Sequence, residues 1–235
     1  MRSSQEILEK VPGLIIGQHA GGGKAEQIFL RGFDIDHGTD IAIAVDGLPV
    51  NMVSHAHGQG YADLHFLIPE TINNIDFGKG SYYADKGNFA TAGYVDFQTK
   101  KQLDNSQIKM EIGQFNTFRT VGLFNLLNQK NHSAYIASEY VMTDGYFESP
   151  QNFHRLNLFG KYTGRFGNDQ LTITGSYFDS RWDASGQIPV RAVNSGSITR
   201  FGAIDDTEGG NTGRAYVKMD YNKYINGSSF IKNTV

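Results

Sequence analysis

From residue 105 onward, apolar residues recur at every second position over segments about ten residues long. Ile108, Met110 and Ile112 alternate with Lys109, Glu111 and Gly113. Leu156, Leu158, Gly160 and Tyr162 alternate with Arg155, Asn157, Phe159 and Lys161. Leu171, Ile173, Gly175 and Tyr177 alternate with Thr172, Thr174 and Ser176, and Ala215, Val217, Met219 and Tyr221 with Tyr216, Lys218 and Asp220. Residues 117–127 and 132–142 are strand-like with poorer alternation. A period of two places successive side chains on opposite faces of a strand. This part of the chain therefore reads as antiparallel β-structure with one apolar and one polar face. No run approaches ~18 apolar residues, so no transmembrane helix is expected. A membrane β-barrel stays open, because its strands hide their apolar face in alternation.

Alternation fits a soluble β-sandwich or barrel equally well, strand by strand. The connections separate the readings. Those at 128–131, 164–169 and 225–227 are short, and those at 143–152 and 181–211 are long. A short-turn side opposite a long-loop side is the pattern of an outer-membrane barrel. Strands of about ten residues match a tilted bilayer crossing. Tyr140, Tyr146 and Phe153 fall at one end of the strands and Tyr162 and Phe166 at the other, as interfacial girdles would. The membrane reading puts Leu156, Leu158, Ile173, Tyr177, Val217 and Met219 on one exposed apolar surface, with Lys161, Thr172 and Lys218 facing inward. The soluble reading buries those apolar residues against a second layer.

The leading hundred residues are of another kind. Ser3 to Glu6 fits a capping box, followed by a short helix to Lys10 with Ile7, Leu8 and Val11 inward and Pro12-Gly13 as its stop. Leu14–Ile16 and Gln27–Arg31 read as short strands around the turn Gly21-Gly22-Gly23. Ile41–Val45 reads as a buried strand, turned at Asp46-Gly47 into Leu48–Val50. Pro69 begins a short helix. The stretch from Ile75 to Lys100 reads as strand, glycine-punctuated turn and strand. In it Gly93 marks a close approach or a bulge, and Val95 and Phe97 share a face opposite Asp96 and Gln98.

Composition excludes several chemistries. The chain of 235 residues holds one or two domains and has no cysteine, which removes disulfides, thiolate metal sites and cysteine nucleophiles. A net charge of −3 gives no sign of nucleic-acid binding. The start, MRSSQEILEK, lacks an apolar core and is not a secretory signal.

In order, QEILEKVPGLIIGQHAGGG, IFLRGFDIDHGTDIAIAVDGLPVN, HGQGYADLHFLIPETI and IDFGKGSYYADKGNFATAGYVDFQTK resemble the plug domain of the TonB-dependent outer-membrane receptors. The LRGF, VDGLPVN and FGKGSYYADKGNFATAG runs carry the likeness separately and in the right order. The resemblance implies an α+β plug domain over residues 1–102, lacking its N-terminal segment, and antiparallel transmembrane β-barrel strands over 103–235, mainly β. About seven strands of a ~22-stranded barrel are expected, so the chain reads as a fragment. QIPVRAVNSGSITRFGAIDDTEGG resembles a long surface loop of one subgroup. The implied function is energised uptake of a scarce nutrient across the outer membrane of a Gram-negative bacterium. The ligand would be a ferric siderophore, haem, cobalamin, oligosaccharide or other metal complex, and the partners TonB and outer-membrane lipid. The alternative is a soluble all-β ligand- or carbohydrate-binding module.

For sites, His55, His57 and Gln59 on the glycine-bearing loop are the expected ligand contacts. His37, His55, His57 and His65, with Asp63 as a possible third donor, also suggest a metal centre. The favoured reading of these histidines is polar loop residues, and neither a protein-held metal nor a cofactor is expected. Arg31 would be enclosed and need a carboxylate, with Glu111 or Glu139 as the expected plug-to-wall partner. The acid clusters Asp34-Ile35-Asp36 and Asp205 to Glu208 lack calcium-loop spacing and read as solvated faces. Gly21 to Lys24 lacks the phosphate-loop spacing, no G-x-S-x-G elbow occurs, and no catalytic set is expected.

Overall fold

The computed structural model describes residues 4–18, 22–226 and 229–235. It divides into two compact units. One comprises Met1–Thr99 and Asp183–Gly209, the other Lys100–Trp182 and Gly210–Val235. The long connection 183–209 thus groups with the leading residues.

In the first unit, Ser4–Lys10 is a 3-10 helix that buries Ile7, Leu8 and Val11. The Ser3 part of the expected cap, and part of the 21–23 glycine run, lie outside the described residues. Strands β1 (Leu14–Gly17), β2 (Gln27–Leu30) and β3 (Phe33–Asp34) form an antiparallel sheet in that order. Arg31 (φ 54°) and Gly32 (φ 81°) are the two-residue turn between β2 and β3. Such a turn needs positive φ at both positions, which matches the strand twist. A second sheet has the order β5-β4-β7-β6, from β4 (Ile41–Val45), β5 (Leu48–Pro49), β6 (Ile72–Lys79) and β7 (Gly93–Thr99). β4 runs parallel to β7, and β6 antiparallel to it. Ile41, Ile43, Val45, Val95 and Phe97 are buried in phase, leaving Gln98 exposed.

Two local devices lock this sheet. Asp46 (φ 51°) and Gly47 (φ 76°) make the tight turn from β4 to β5. The Asp46 carboxylate accepts from Thr99 N at 2.9 Å and Thr99 Oγ1 at 2.6 Å, tying that turn to the end of β7. Gly93 sits at φ 153°, and a Cβ there would lie 2.3 Å from the Gly78 carbonyl oxygen. Only glycine permits that approach of β7 to β6.

The second unit holds a seven-stranded sheet whose strands neighbour one another in chain order. They are β8 (Gln107–Ile112), β9 (Phe118–Asn128), β10 (His132–Thr143), β11 (Phe153–Phe166), β12 (Asp169–Asp183), β13 (Gly209–Asn226) and β14 (Ser229–Thr234). The 15 residues of β12 and 18 of β13 exceed the ~9–11 that a bilayer crossing needs. A short helix, α1 (Val190–Asn194), lies in the long connection.

The two faces of this sheet invert the usual rule. Asn157, Lys161, Thr174 and Lys218 are buried, whereas Leu158, Tyr177 and Val217 are 44%, 47% and 78% exposed. Leu156, Ile173 and Met219 are exposed as well, and Thr172 is half-buried. Alternation sorts residues by face, and an apolar outer face is the arrangement of a membrane barrel. One expectation needs correcting. Phe153, expected in an aromatic girdle, is only 5% exposed, because it shares the face of Arg155 and Asn157. Tyr146 and Phe166 are exposed.

Candidate functional site

The histidine-bearing loop is built on a closed base. Met52 N donates to the Tyr61 carbonyl at 2.9 Å, and Gly60 N to the Met52 carbonyl at 2.8 Å. These bonds pinch residues 53–59 into a tongue. Asn51, the residue before it, is the organiser. Its Nδ2 donates to the carbonyls of Gly38, Ile41 and Gly60 at 2.9, 2.9 and 3.0 Å, and its Oδ1 accepts from Ile43 N at 2.7 Å. One side chain thereby joins strand β4, the turn before it and the base of the tongue.

The turn before β4 carries the other half of the site. Ile28 N donates to the Asp36 carbonyl at 2.7 Å and Ala62 N to the His37 carbonyl at 2.8 Å, so Asp36 and His37 are held on both sides. Asp36 adopts φ 53°, a region Asp tolerates better than most residues. Its N–H donates to Asp34 Oδ1 at 2.9 Å, and Gln27 Nε2 to Asp34 Oδ2 at 2.7 Å. These bonds, the glutamine's first, hold the Asp34 carboxyl below the usual carboxylate range.

Four rings converge here. His37 is buried and meets His57 edge-on, with centroids 4.3 Å apart. His55 stacks on Tyr61 at 4.0 Å and 12°. His57 N donates to His55 Nδ1 at 3.1 Å. Tyr61 accepts from Ala25 N through its hydroxyl at 2.9 Å, and burial pushes its phenol up to about 12. It is therefore a neutral platform. Asp36 Oδ1 lies 3.4 Å from His37 Nε2 and 3.9 Å from His57 Nε2.

Of the residues singled out in the sequence, the structure brings His37, His55 and His57 together. Gln59 is exposed on the same tongue. His65 stands apart as a core histidine, its Nδ1 2.7 Å from Asp63 Oδ1. Asp63 is thus engaged with His65, and the carboxylate beside His37 and His57 is Asp36, a member of the acid cluster read as a solvated face. Tyr61 and Asn51 were not anticipated. VDGLPVN located Asn51, but nothing local shows that its amide bridges three carbonyls.

The residues assigned to plug–wall contact are placed as follows. Arg31 is exposed at its hairpin tip. Glu139 is fully buried and accepts from Arg119 Nε at 2.8 Å and Asn157 Nδ2 at 2.8 Å, with Arg155 Nη2 at 3.1 Å. Glu111 accepts from Arg119 Nη1 at 2.8 Å and stays half exposed. Both acids are thus engaged by guanidinium groups of their own sheet.

Residues 1–94 match the family described as the TonB-dependent receptor plug domain. The whole chain is similar in fold to the ferric citrate transporter FecA in its unliganded form, with a TM-score of 0.78 and 16% identity, covering 100% of this chain and 36% of that one. The copper transporter OprC gives 0.71 at 15% identity, covering 99% and 34%. The FrpB iron transporter from Neisseria meningitidis gives 0.68 at 16%, covering 99% and 36%. The chain therefore spans about a third of the length of the solved proteins it matches.

Proposed function

We infer that this chain, which belongs to the TonB-dependent receptor family through its plug domain, is part of a receptor for energised uptake of a small extracellular metal complex. Members of the family are outer-membrane proteins of Gram-negative bacteria. The observation that carries the reading is the inverted sheet: Val217 and Leu158 outside, Lys218 and Asn157 buried. A soluble module would bury the first pair and expose the second. In the whole protein, further strands complete a barrel of about 22 strands, which leaves no open edge in the bilayer.

In this reading the ligand arrives from outside and meets the tongue at His55, His57 and Gln59. TonB then pulls on the plug with energy from the inner-membrane proton gradient. The metal complex is favoured over an oligosaccharide because the tongue offers imidazoles rather than a wide aromatic platform. Solved proteins of similar fold support this choice, since two are transporters of iron or ferric citrate and one of copper.

The test uses cells expressing the full-length receptor. Uptake of labelled iron, copper or zinc complexes is compared with a receptor deletion, a TonB deletion and protonophore treatment. The reading requires at least one complex whose uptake all three abolish. Uptake indifferent to TonB removes it.

A further inference from the structure

We infer that Asp36, His37 and His57 form a site for one divalent cation of the zinc, copper(II) or nickel class, open on one side to a further ligand. This deepens the uptake reading and rests on the tongue being its ligand-facing end. One donor atom from each residue lies within 4.8 Å of the other two. Two imidazole nitrogens and one carboxylate oxygen suit borderline cations. Magnesium and calcium take oxygen alone, and copper(I) prefers sulfur.

The orientation of His37 is the strongest argument. Its Nδ1 lies 3.1 Å from the Glu26 carbonyl oxygen, which only accepts, so Nδ1 carries the proton. The other ring nitrogen, Nε2, faces Asp36 Oδ1 at 3.4 Å. A second imidazole nitrogen, from His57, lies 3.9 Å from the same oxygen. A proton joins one pair of these atoms, whereas a metal ion engages all three donors. A backbone carbonyl behind a coordinating imidazole is also the usual outer support of a metal-bound histidine.

One edge of the site already has the right spacing. Bonds of about 2.0–2.2 Å hold tetrahedral donors roughly 3.3 Å apart. The His37–Asp36 separation is already there. His57, on its exposed tongue, must close in from 3.9 Å to the Asp36 oxygen, all three donors starting within 4.8 Å of one another. The His37 side chain is 3% exposed, against 49% for Asp36 and 35% for His57. The site thus has a rigid buried donor, two accessible ones, and an open side where water or a donor of a carried chelate completes the shell.

The test takes the full-length receptor, purified in detergent and stripped with a chelator, and titrates it with Co²⁺. We expect one equivalent to bind with visible absorption bands, Zn²⁺ to displace it, and bound Cu²⁺ to show magnetic coupling to two nitrogens. His57→Ala and Asp36→Asn should each weaken Co²⁺ at least about tenfold, since even outer-shell changes cost that much. Both residues are partly exposed, so thermal melting should confirm that these variants fold. His132→Gln, in the β-sheet unit, should bind as the parent does. Co²⁺ given alone or as its citrate complex distinguishes the source: tighter binding of the complex assigns a carried chelate, and tighter binding of the ion a free metal. Either supports the site. Absence of stoichiometric binding, or binding untouched by both variants, overturns it. Stoichiometric Co²⁺ binding without TonB-dependent uptake keeps the site and removes the uptake reading, whereas such uptake without Co²⁺ binding does the reverse.

Discussion

Arg119 Nε donates to Glu139 Oε1 at 2.8 Å, and the Glu139 side chain that receives it is fully buried. The partners sit on adjacent strands, two register positions apart and so on one face, since Glu139 pairs with Val121 and Arg119 with Val141. Arg155 and Asn157 approach the second carboxylate oxygen from β11. One acid thus joins three strands on the covered face of the sheet. A charge so placed is costly unless every partner stays.

Glu139→Ala should therefore destabilise the sheet by about 3–5 kcal/mol, because two buried guanidinium groups lose their shared carboxylate. Replacing Arg119, Glu139 and Arg155 together by apolar residues of similar size should cost less. Thermal unfolding of the full-length receptor in detergent measures both. A triple variant less stable than the single one would contradict the account.

Val217→Arg addresses the opposite face. If Val217 meets lipid, a guanidinium there costs about 2–4 kcal/mol near the bilayer centre. Folding into lipid vesicles under urea titration should show the loss. Unchanged folding would mean that this face meets water.

Asn51→Ala removes two N–H donors shared among three carbonyls and one acceptor, at a net cost of about 3 kcal/mol for bonds worth roughly 1 kcal/mol each. Asn51→Asp should be worse, because it turns a carboxylate oxygen toward three carbonyls. Calorimetry should rank parent, alanine and aspartate variants in falling order. The reverse order of the two variants would refute the organising role.

Asp96 gives a pH prediction. Burial raises its carboxyl above the usual range, the Gly47 N–H opposes the shift, and nearby Asp46 adds to it. An acid with a raised folded pKa binds its proton more tightly in the native state. Its penalty is absent below the unfolded value, near 4, and grows as pH rises through the folded value. Asp96→Asn should thus raise the melting temperature at neutral pH, with the gain fading on acidification to about pH 4. A gain that persists or grows at low pH would reverse the sign.

Much of the fold was legible because its causes are local. The Asp46-Gly47 turn needs two positive φ angles, which that dipeptide tolerates. Gly93 reads as a close approach or a bulge, and the Gly78 carbonyl makes it a close approach. The faces of β11, β12 and β13 follow from a period of two. Phe153 shows the limit of this reasoning. Aromatic character near a strand end suggested a girdle, but strand phase decided the face.

The residue string by itself marked the alternating strands, the change of pattern near residue 100 and the likeness of the leading residues to a plug domain, since periodicity, turn chemistry and ordered motifs act over a few neighbouring positions. It did not settle which charges meet. Glu139 found Arg119 and Arg155 because register sets cross-strand neighbours, and register is fixed by the whole sheet. Asp36 and His57 stand 21 positions apart and converge only because Asn51 and the Met52–Tyr61 closure hold both segments on one scaffold. Bringing such segments together costs chain entropy that only the folded core offsets, so the site exists in the tertiary structure alone.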